Sequence, residues 1–301
     1  MLWCGSVVYM SDEYLEVSVS GGLGNQLFMF YAGLFFSSYL KKEPKFDVSD
    51  LNRVRNLHPG FNIVDLGLLD GYELIEPNKK ERSTLDKINR RISDEWCKVR
   101  GLAFFPSEKG YSSPRSIPLT SRKLKGYFQT WRYFEALDVM PNLLAAIEAK
   151  VSPWALQLGE TMVKEDALCL HVRRGDARYS LNGKLGILSL RYFEQVLEIH
   201  PSNPVWIFSD SPSEVESELA QRRISARIVN HPIGSDPIDA LYLMSKGSNL
   251  AISNSTFSWW AAMLSKSKEK IYAPFPWFKG LPDPLDLVPN TWLRIESFWE
   301  N

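Results

Sequence analysis

The amino-acid sequence predicts an α/β fold in two halves, each built on a parallel sheet. Strand-like and helix-like segments alternate through the second half of the chain, which is typical of parallel sheets with right-handed crossovers. A strand, a glycine-rich loop, a helix and a second strand follow one another near the start, and this is the unit from which such sheets are built. The length of 301 residues suits two domains, predicted at 1–150 and 151–301 and joined near 140–155.

The first half opens with a strand, a loop and a long apolar helix. Residues 14–20 (YLEVSVS) alternate in hydrophobicity and predict a strand, and residues 45–49 (KFDVS) predict a second one. The apolar run between them covers 27–40, which is 14 positions. A helix needs about 20 apolar residues to cross a bilayer, so this run predicts a helix buried inside a domain and not a membrane anchor.

The middle of the chain is less regular. Residues 78–96 are polar and basic and predict a solvated helix, and 104–119 predict a loop rich in proline and serine. Residues 123–134 (KLKGYFQTWRYF) predict a strand, a turn and the start of a helix. Residues 141–163 predict helices that break near Pro153.

The second half predicts a regular succession of elements. Strands are predicted in 166–176, where the strand runs into a charged loop, and in 204–212, 226–232, 249–253 and 270–278; helices are predicted in 189–201, 213–223, 239–248 and 255–265.

Composition excludes several classes of protein. The chain has 35 basic and 35 acidic residues, and this zero formal charge does not favour a nucleic-acid binder. Cys4, Cys97 and Cys169 are scattered, which predicts neither a disulfide framework nor a zinc site with the four histidines. The N-terminus lacks the basic segment of a signal peptide, so we expect a cytoplasmic protein without a transmembrane segment. Met10 leaves open whether residues 1–10 belong to the native start.

Polar residues stand where three strands of the second half end, and ligands of such folds bind at the carboxyl ends of strands. The most informative end is HVRRGD (171–176). Arginine binds phosphate bidentately, and neighbouring residues of a strand point to opposite faces. We therefore expect one of Arg173 and Arg174 to meet a ligand and the other to brace the loop, while Asp176 orients an arginine or accepts a proton.

The other two ends have weaker signals. NSTFSWW (254–260) opens a helix, where Ser255, Thr256 and backbone N–H groups could hold a phosphate; the alternative is simple capping of the helix by Asn254 or Ser255. In FSD (208–210), Asp210 could accept hydrogen bonds from a guanine or a ribose, or could form a turn before Pro212.

The glycine loop (21–33, GGLGNQLFMFYAG) only partly matches a dinucleotide-binding fingerprint. Gly22 and Gly24 fit its first two positions, but Leu27 stands at the third. Asp47 lies near the position of the expected ribose-binding acid, so an NAD(P)-dependent oxidoreductase stays an alternative. No Asp-x-Asp triplet occurs, so we predict no metal site, and a bound diphosphate must be held by arginines and a helix N-terminus.

Taken in order, GGLGNQLFMFYAG, GYFQTWRYF, LHVRRGD, FSD and LMSKGSNLAISNSTFSWWAAML resemble the α-1,2-fucosyltransferases of glycosyltransferase family 11, from about residue 15 to about 295. The resemblance implies a GT-B-type fold, with two Rossmann-like domains facing a central cleft. It implies an inverting, metal-independent transfer of L-fucose from GDP-β-L-fucose to the 2-hydroxyl of a galactose-containing acceptor. Members without an anchor resemble bacterial enzymes that make surface polysaccharides such as O-antigen.

The resemblance also implies roles for individual residues, with no bound cofactor besides the donor substrate. The C-terminal domain would bind the donor and the N-terminal domain the acceptor. Arg173 would bind the diphosphate, Arg174 would support it, His171 would approach the nucleoside and Asp210 would recognise guanine or ribose. The remaining donor residues would be Asn254, Ser255, Thr256, Phe257, Gly22 and Gly24.

On the acceptor side, Asn25 and Gln26 of the glycine loop would face the sugars across the cleft. Asp176 and Asn25 are the remaining catalytic candidates beside Arg173, with Asp176 as a candidate base. The partners would be the nucleotide sugar and a galactose-terminated glycan, with peripheral membrane contact open if that glycan is lipid-linked. Ala177 and Ser211 replace an aromatic residue and an acid that the family often has, which leaves the choice of acceptor open. A non-catalytic sugar-nucleotide-binding module and a fucosyltransferase for another linkage or a protein acceptor also stay open.

Overall fold

The protein is described by a computed structural model that covers residues 14–51, 61–76, 92, 94–106, 109–175, 183–233, 236–265 and 270–300. The chain divides into two compact units. The first unit comprises Met1–Pro141 with Pro284–Leu287, and the second comprises Asn142–Asp283 with Val288–Asn301.

The first unit is built on a five-stranded sheet in which every paired strand is parallel. Its strands, in the spatial order β3-β2-β1-β5-β4, are β1 (Tyr14–Ser18), β2 (Glu43–Asp47), β3 (Glu73–Ile75), β4 (Ala103–Phe104) and β5 (Lys123–Leu124). Its described helices include α1 (Leu23–Leu40) and the short α2 (Arg132–Glu135).

Helix α1 is the buried helix that the apolar run predicts. It begins at Leu23, earlier than predicted, and packs against β1 and β2. The approach to β1 is close at Gly33, where a Cβ atom would lie 2.8 Å from Cγ1 of Val17. Among the described residues, no helix is both long enough and apolar enough to cross a membrane.

The second unit is built on a six-stranded parallel sheet in the order β11-β10-β9-β6-β7-β8. Its strands are β6 (Leu168–Val172), β7 (Val205–Ser209), β8 (Arg227–Ile228), β9 (Asn249–Ala251), β10 (Lys270–Phe275) and β11 (Leu293–Glu296). Its helices are α3 (Met140–Glu148), α4 (Pro153–Lys164), α5 (Leu190–Ile199), α6 (Pro212–Arg222), α7 (Pro237–Lys246) and α8 (Thr256–Leu264). Helix α4 begins at Pro153 with Ser152 as its N-cap, as the predicted break implies.

Counted from its first strand, this sheet has the order 6-5-4-1-2-3, the strand order of a doubly wound nucleotide-binding domain. Strand β6 is buried along its whole length, as a central parallel strand must be when helices cover both faces. One of its faces, including Leu170, packs with Phe193 of α5 and Val215 of α6. The predicted α/β class with parallel sheets is therefore confirmed in both units.

Candidate functional site

The topology of the second sheet selects the place where a ligand would bind. The chain runs from β6 outward to β7 and β8, and later from β9 outward to β10 and β11 on the other side. The loops that leave β6 and β9 therefore diverge, and doubly wound domains bind ligands at the carboxyl ends of the strands at such a switch point. Here these ends carry Arg173 after β6, Asp210 after β7, and Ser253 and Ser255 after β9.

His171 and Ser253 join β6 to β9 at this switch point. Nδ1 of His171 lies 2.7 Å from Oγ of Ser253, and the imidazole is almost completely buried. Burial lowers the pKa of His171 to about 4, with Asp210 acting in the opposite direction and Arg173 in the same direction. The ring is therefore neutral at neutral pH and can offer hydrogen bonds, but no positive charge, to a ligand.

Arg174 is the bracing arginine. It is 0 % exposed, and its Nε and Nη2 donate to the two carboxylate oxygens of Glu218 at 3.0 and 2.7 Å. Its Nη1 donates to the carbonyl of Leu188 at 2.8 Å, and Glu300 lies 3.2 Å from Nε. These contacts hold the guanidinium inside the second unit.

Arg173 follows β6 and is partly exposed. The carbonyl of Arg173 accepts a hydrogen bond from Nη1 of Arg174 at 3.2 Å, which fixes the backbone of one arginine to the side chain of the other. Arg174 is therefore inside the unit and Arg173 is at the carboxyl edge of the sheet, and contact of Arg173 with a ligand stays a prediction.

Asp210 has a structural task that the sequence did not reveal. Its Oδ1 accepts the backbone N–H of Arg174 at 2.7 Å and its Oδ2 accepts that of Gly175 at 3.0 Å. The carboxylate is exposed, and it fastens the loop after β6 to the end of β7. Parallel pairing of Val172 with Ser209 brings the two ends together. Recognition of a guanine or ribose by Asp210 stays a prediction.

The N-terminus of α8 is capped by its own side chains. Oγ of Ser255 accepts the N–H of Phe257 at 3.3 Å, and Oγ of Ser258 donates to the carbonyl of Ser255 at 3.3 Å. Nδ2 of Asn254 donates to the carbonyls of Leu185 and Gly186, at 2.8 and 3.1 Å. Capping and loop support thus account for more of these polar groups than the sequence suggested.

Two residues of this helix start remain partly exposed, Thr256 and Phe257. The ring of Phe257 lies 6.4 Å from that of His171, measured between centroids. The positive end of the α8 dipole and Arg173 follow two adjacent strands of one sheet, and a helix N-terminus favours an anion. The second unit therefore has the elements of an anion site at its switch point.

The glycine loop of the first unit differs from the expectation at one position. Gln26 is buried; its Nε2 donates to the carbonyl of Gly21 at 2.7 Å and its Oε1 accepts the N–H of Ile63 at 2.9 Å. The prediction that Gln26 faces a sugar was wrong, because its amide is used to hold the loop. Asn25 is partly exposed, and its Oδ1 accepts a hydrogen bond from Nε2 of Gln129 at 2.9 Å.

The two glycines of the partial fingerprint occupy different environments. Gly22 is the N-cap of α1, has no side-chain cap, and a Cβ atom there would meet nothing within 4 Å. Gly24 is buried in the first turn of the helix. The candidate base Asp176 and the neighbouring Ala177 lie outside the described residues. Among the residues that the structure does describe, no three His, Cys, Asp or Glu side chains are grouped to hold a metal ion.

The model of the family described as "Glycosyl transferase family 11" matches residues 1–280. The chain belongs to glycosyltransferase family 11. Two relatives of this family 11 chain come from Escherichia coli: an alpha-1,2-colitosyltransferase, 26% identical over 292 residues (93% of this chain and 98% of the relative), and the O-antigen biosynthesis glycosyltransferase WbnK, 27% identical over 307 residues (92% and 99%). Among solved structures, the fucosyltransferase NodZ from Bradyrhizobium matches with a TM-score of 0.48 and 13% identity, over 85% of this chain and 94% of that one.

Membership of family 11 decides between two of the classes that the sequence left open. A glycosyltransferase, and not an NAD(P)-dependent oxidoreductase, is the class to which this chain belongs. Asp47, the residue that kept the oxidoreductase open, is buried, and its Oδ1 accepts the N–H of Ser49 at 3.1 Å.

Proposed function

We propose that this family 11 glycosyltransferase moves L-fucose from GDP-β-L-fucose to the 2-hydroxyl of a galactose-containing acceptor, with inversion at the anomeric carbon and without a metal ion. The acceptor belongs to a bacterial surface polysaccharide such as O-antigen. The observation that carries this proposal is the anion site at the switch point of the second sheet, formed by Arg173, the start of α8 and the neutral His171.

The chemistry of the site suits a nucleoside diphosphate. Arg173 supplies a positive charge, and the start of α8 at Thr256 adds the positive end of a helix dipole, without carboxylates grouped for a divalent ion among the described residues. Neutral His171 suits a ribose hydroxyl, which needs a hydrogen bond and not a charge.

The relatives support a deoxysugar donor in O-antigen synthesis. One is named an alpha-1,2-colitosyltransferase and the other an O-antigen biosynthesis glycosyltransferase. Colitose differs from L-fucose only by the loss of the hydroxyl at C3. GDP-fucose and GDP-colitose are therefore the two donors to compare. The proposed transfer of fucose to a 2-hydroxyl would form the same α-1,2 linkage that the name of the colitosyltransferase gives.

The proposed reaction is a single displacement. The acceptor oxygen forms a bond to C1 of fucose, the bond from C1 to the phosphate oxygen breaks, and the electron pair leaves with GDP while the hydroxyl proton passes to a base. The transition state resembles an oxocarbenium ion, as in glycoside chemistry generally. Arg173 and the α8 amides face the charge that develops on the leaving diphosphate, where electrostatic stabilisation is most effective. Asp176 is the candidate base, and Asn25 orients the attacking hydroxyl.

The test is release of GDP across an array of galactose-terminated acceptors, with GDP-fucose, GDP-colitose and GDP-mannose as donors and excess EDTA in every reaction. We expect release from GDP-fucose with at least one acceptor, and an α-1,2 linkage in the product by NMR. Release of GDP from GDP-colitose alone would contradict GDP-fucose as the donor. A product with another linkage would contradict transfer to the 2-hydroxyl, and a strict need for Mn²⁺ would contradict a metal-free reaction. Donor binding without GDP release from any acceptor would indicate a binding module.

A further inference from the structure

The first sheet has a switch point of its own, between β1 and β5. The chain runs from β1 outward to β2 and β3, whereas β5 and β4 lie on the other side of β1. Two segments flank this point at the carboxyl ends of the strands: the glycine loop after β1, and residues 125–131 after β5. The second segment includes Gln129, to which the sequence assigned no role.

Gln129 contributes one half of an amide pair. It is only 6% exposed, and its Nε2 donates to Oδ1 of Asn25 at 2.9 Å. Its own Oε1 is buried and has no hydrogen-bond partner within the described part of the chain. A buried amide oxygen without a partner costs about 1–3 kcal/mol, so a ligand that donates a hydrogen bond there would recover that cost.

The backbone that carries Gln129 is held in an unfavourable conformation. Phe128 has a φ of +48° and is 1% exposed, although the left-handed region costs a residue with a Cβ atom about 1–2 kcal/mol. Contacts on both sides of Gln129 hold this conformation. The Phe128 ring packs on Phe36 and Tyr133, and Oγ1 of Thr130 donates to the carbonyl of Asp286 at 2.8 Å.

The unpartnered oxygen of Gln129 and the strained backbone at Phe128 are two independent observations that both concern the side chain of Gln129. An unsatisfied buried oxygen alone decides nothing, since Oδ1 of Asn249 is in the same condition at the opposite end of its sheet. Gln129 differs because it lies at a switch point, is paired with the partly exposed Asn25, and follows a strained residue that several contacts hold in place. Backbone strain of this kind is concentrated at active sites and ligand-binding positions, where it fixes the direction of a side chain.

We propose that Gln129 and Asn25 form a subsite for a hydroxyl of the acceptor sugar. Oε1 of Gln129 accepts the hydrogen bond from that hydroxyl, and Nε2 of Gln129 fixes the orientation of the Asn25 amide. The ligand is an uncharged polyol, because an amide oxygen accepts hydrogen bonds and gives no attraction to an anion. The assignment of the hydroxyl to the acceptor rests on the proposed function.

The test compares two variants with the wild-type enzyme. Gln129→Met keeps the approximate shape and removes both hydrogen bonds, and Gln129→Glu keeps an acceptor oxygen. Asn249→Leu is the matched control, because it removes a second buried amide with an unpartnered oxygen, away from the site. We expect Gln129→Met to raise the acceptor KM about tenfold, as loss of one such hydrogen bond does, with the donor KM and the unfolding midpoint nearly unchanged. Gln129→Glu should lie closer to wild type, and Asn249→Leu should change neither KM.

A second measurement identifies the hydroxyl. Galactosides that lack the 3-, 4- or 6-hydroxyl are compared in wild type and in Gln129→Met, as a double-mutant cycle between sugar and protein. One deoxy sugar should cost wild type about tenfold in kcat/KM and cost the variant little more. If Gln129→Met does not fold, the deoxy series in the wild type alone tests the subsite, and an equal penalty for every deoxy sugar then overturns it.

An unchanged acceptor KM in Gln129→Met, or equal losses for donor and acceptor, would also overturn the proposal. A wild-type enzyme that transfers to no galactoside is a different result. It contradicts the proposed function, and it is seen before any variant is measured.

Discussion

Nδ1 of His171 and Oγ of Ser253 lie 2.7 Å apart and join the ends of β6 and β9. The pKa of His171 is lowered from 6.5 to about 4, mainly by burial. Between these two pH values the unfolded chain binds a proton that the folded chain does not. His171 therefore does not reduce the free energy of unfolding above about pH 6.5. As the pH drops from 6.5 towards 4, protonation of this residue in the unfolded chain lowers that free energy by at most about 3 kcal/mol.

Denaturant titrations of wild type and His171→Asn across this range test the effect. Asparagine cannot titrate, so the variant should show a shallower loss of stability below pH 6.5. The pKa of His231 is also lowered by burial, and both proteins share this residue, so the difference between the two curves isolates His171. Parallel curves would show that His171 is not the group responsible.

Arg174 should behave as a structural residue. Arg174→Met removes the cation that Glu218 and Glu300 face and leaves the carbonyl of Leu188 without this donor. Breaking a buried ion pair costs about 3–5 kcal/mol, and partial exposure of both carboxylates places this case near the lower end. The measurement is the unfolding midpoint, and a midpoint equal to that of wild type would contradict the bracing role.

Asp210 should affect binding through the loop that it holds. In Asp210→Asn, one carboxylate oxygen becomes an NH2 group that cannot accept the N–H of Arg174 or Gly175. We expect GDP to bind about 10- to 100-fold more weakly, since a hydrogen bond to a charged group contributes about 1.5–3 kcal/mol. Isothermal titration calorimetry with GDP measures this loss, and wild-type affinity in the variant would show that the clamp is dispensable.

Gly22 and Gly33 provide a matched pair of substitutions in one helix. Gly33→Ala places a methyl group within 2.9 Å of both Cγ atoms of Val17, and such overpacking costs about 1–3 kcal/mol. Gly22→Ala meets no atom within 4 Å, at a φ of −72°. We therefore expect Gly33→Ala to lower the unfolding midpoint and Gly22→Ala to leave it unchanged.

The activity of the same pair tests whether a ligand approaches the glycine loop. Gly22→Ala should reduce turnover although its stability is that of wild type, because the methyl group would occupy the space left to the ligand. Combining Gly33→Ala with Val17→Ala should recover part of the lost stability. Full activity of Gly22→Ala would remove the glycine loop from the site.

Much of the fold was predictable because hydrophobic period and turn residues are local. The short apolar runs of β6, β7 and β9 and the proline at the start of α4 were sufficient to place these elements. Strand β11 was missed, since the segment Leu293–Glu296 is only four residues long and exposes most of its residues. The start of α1 was missed because Gly24, Asn25 and Gln26 form no apolar helical pattern. The side-chain amide of Gln26 gains its hydrogen-bond partner, the carbonyl of Gly21, only in the folded loop.

The site was less predictable because its geometry depends on contacts between residues that are far apart in the sequence. The sequence placed Arg173 and Arg174 at a strand end, and alternation along a strand predicted that only one of the two would turn inward. It could not show that Gln26 and not Asn25 turns inward, since the partner of Gln26 is the N–H of Ile63. Nor could it show the contact of Asp210 with Gly175 or of Gln129 with Asn25, which are 35 and 104 positions apart.

In the proposed donor complex, the diphosphate of GDP binds to Arg173 at the switch point of the second sheet. The most direct measurement is calorimetric binding of GDP to wild type and to Arg173→Met in excess EDTA, with unfolding midpoints recorded for both. We predict binding to wild type without metal and at least about tenfold weaker binding to the variant, at an unchanged midpoint. Equal affinity of the two proteins for GDP would show that the diphosphate does not bind to Arg173.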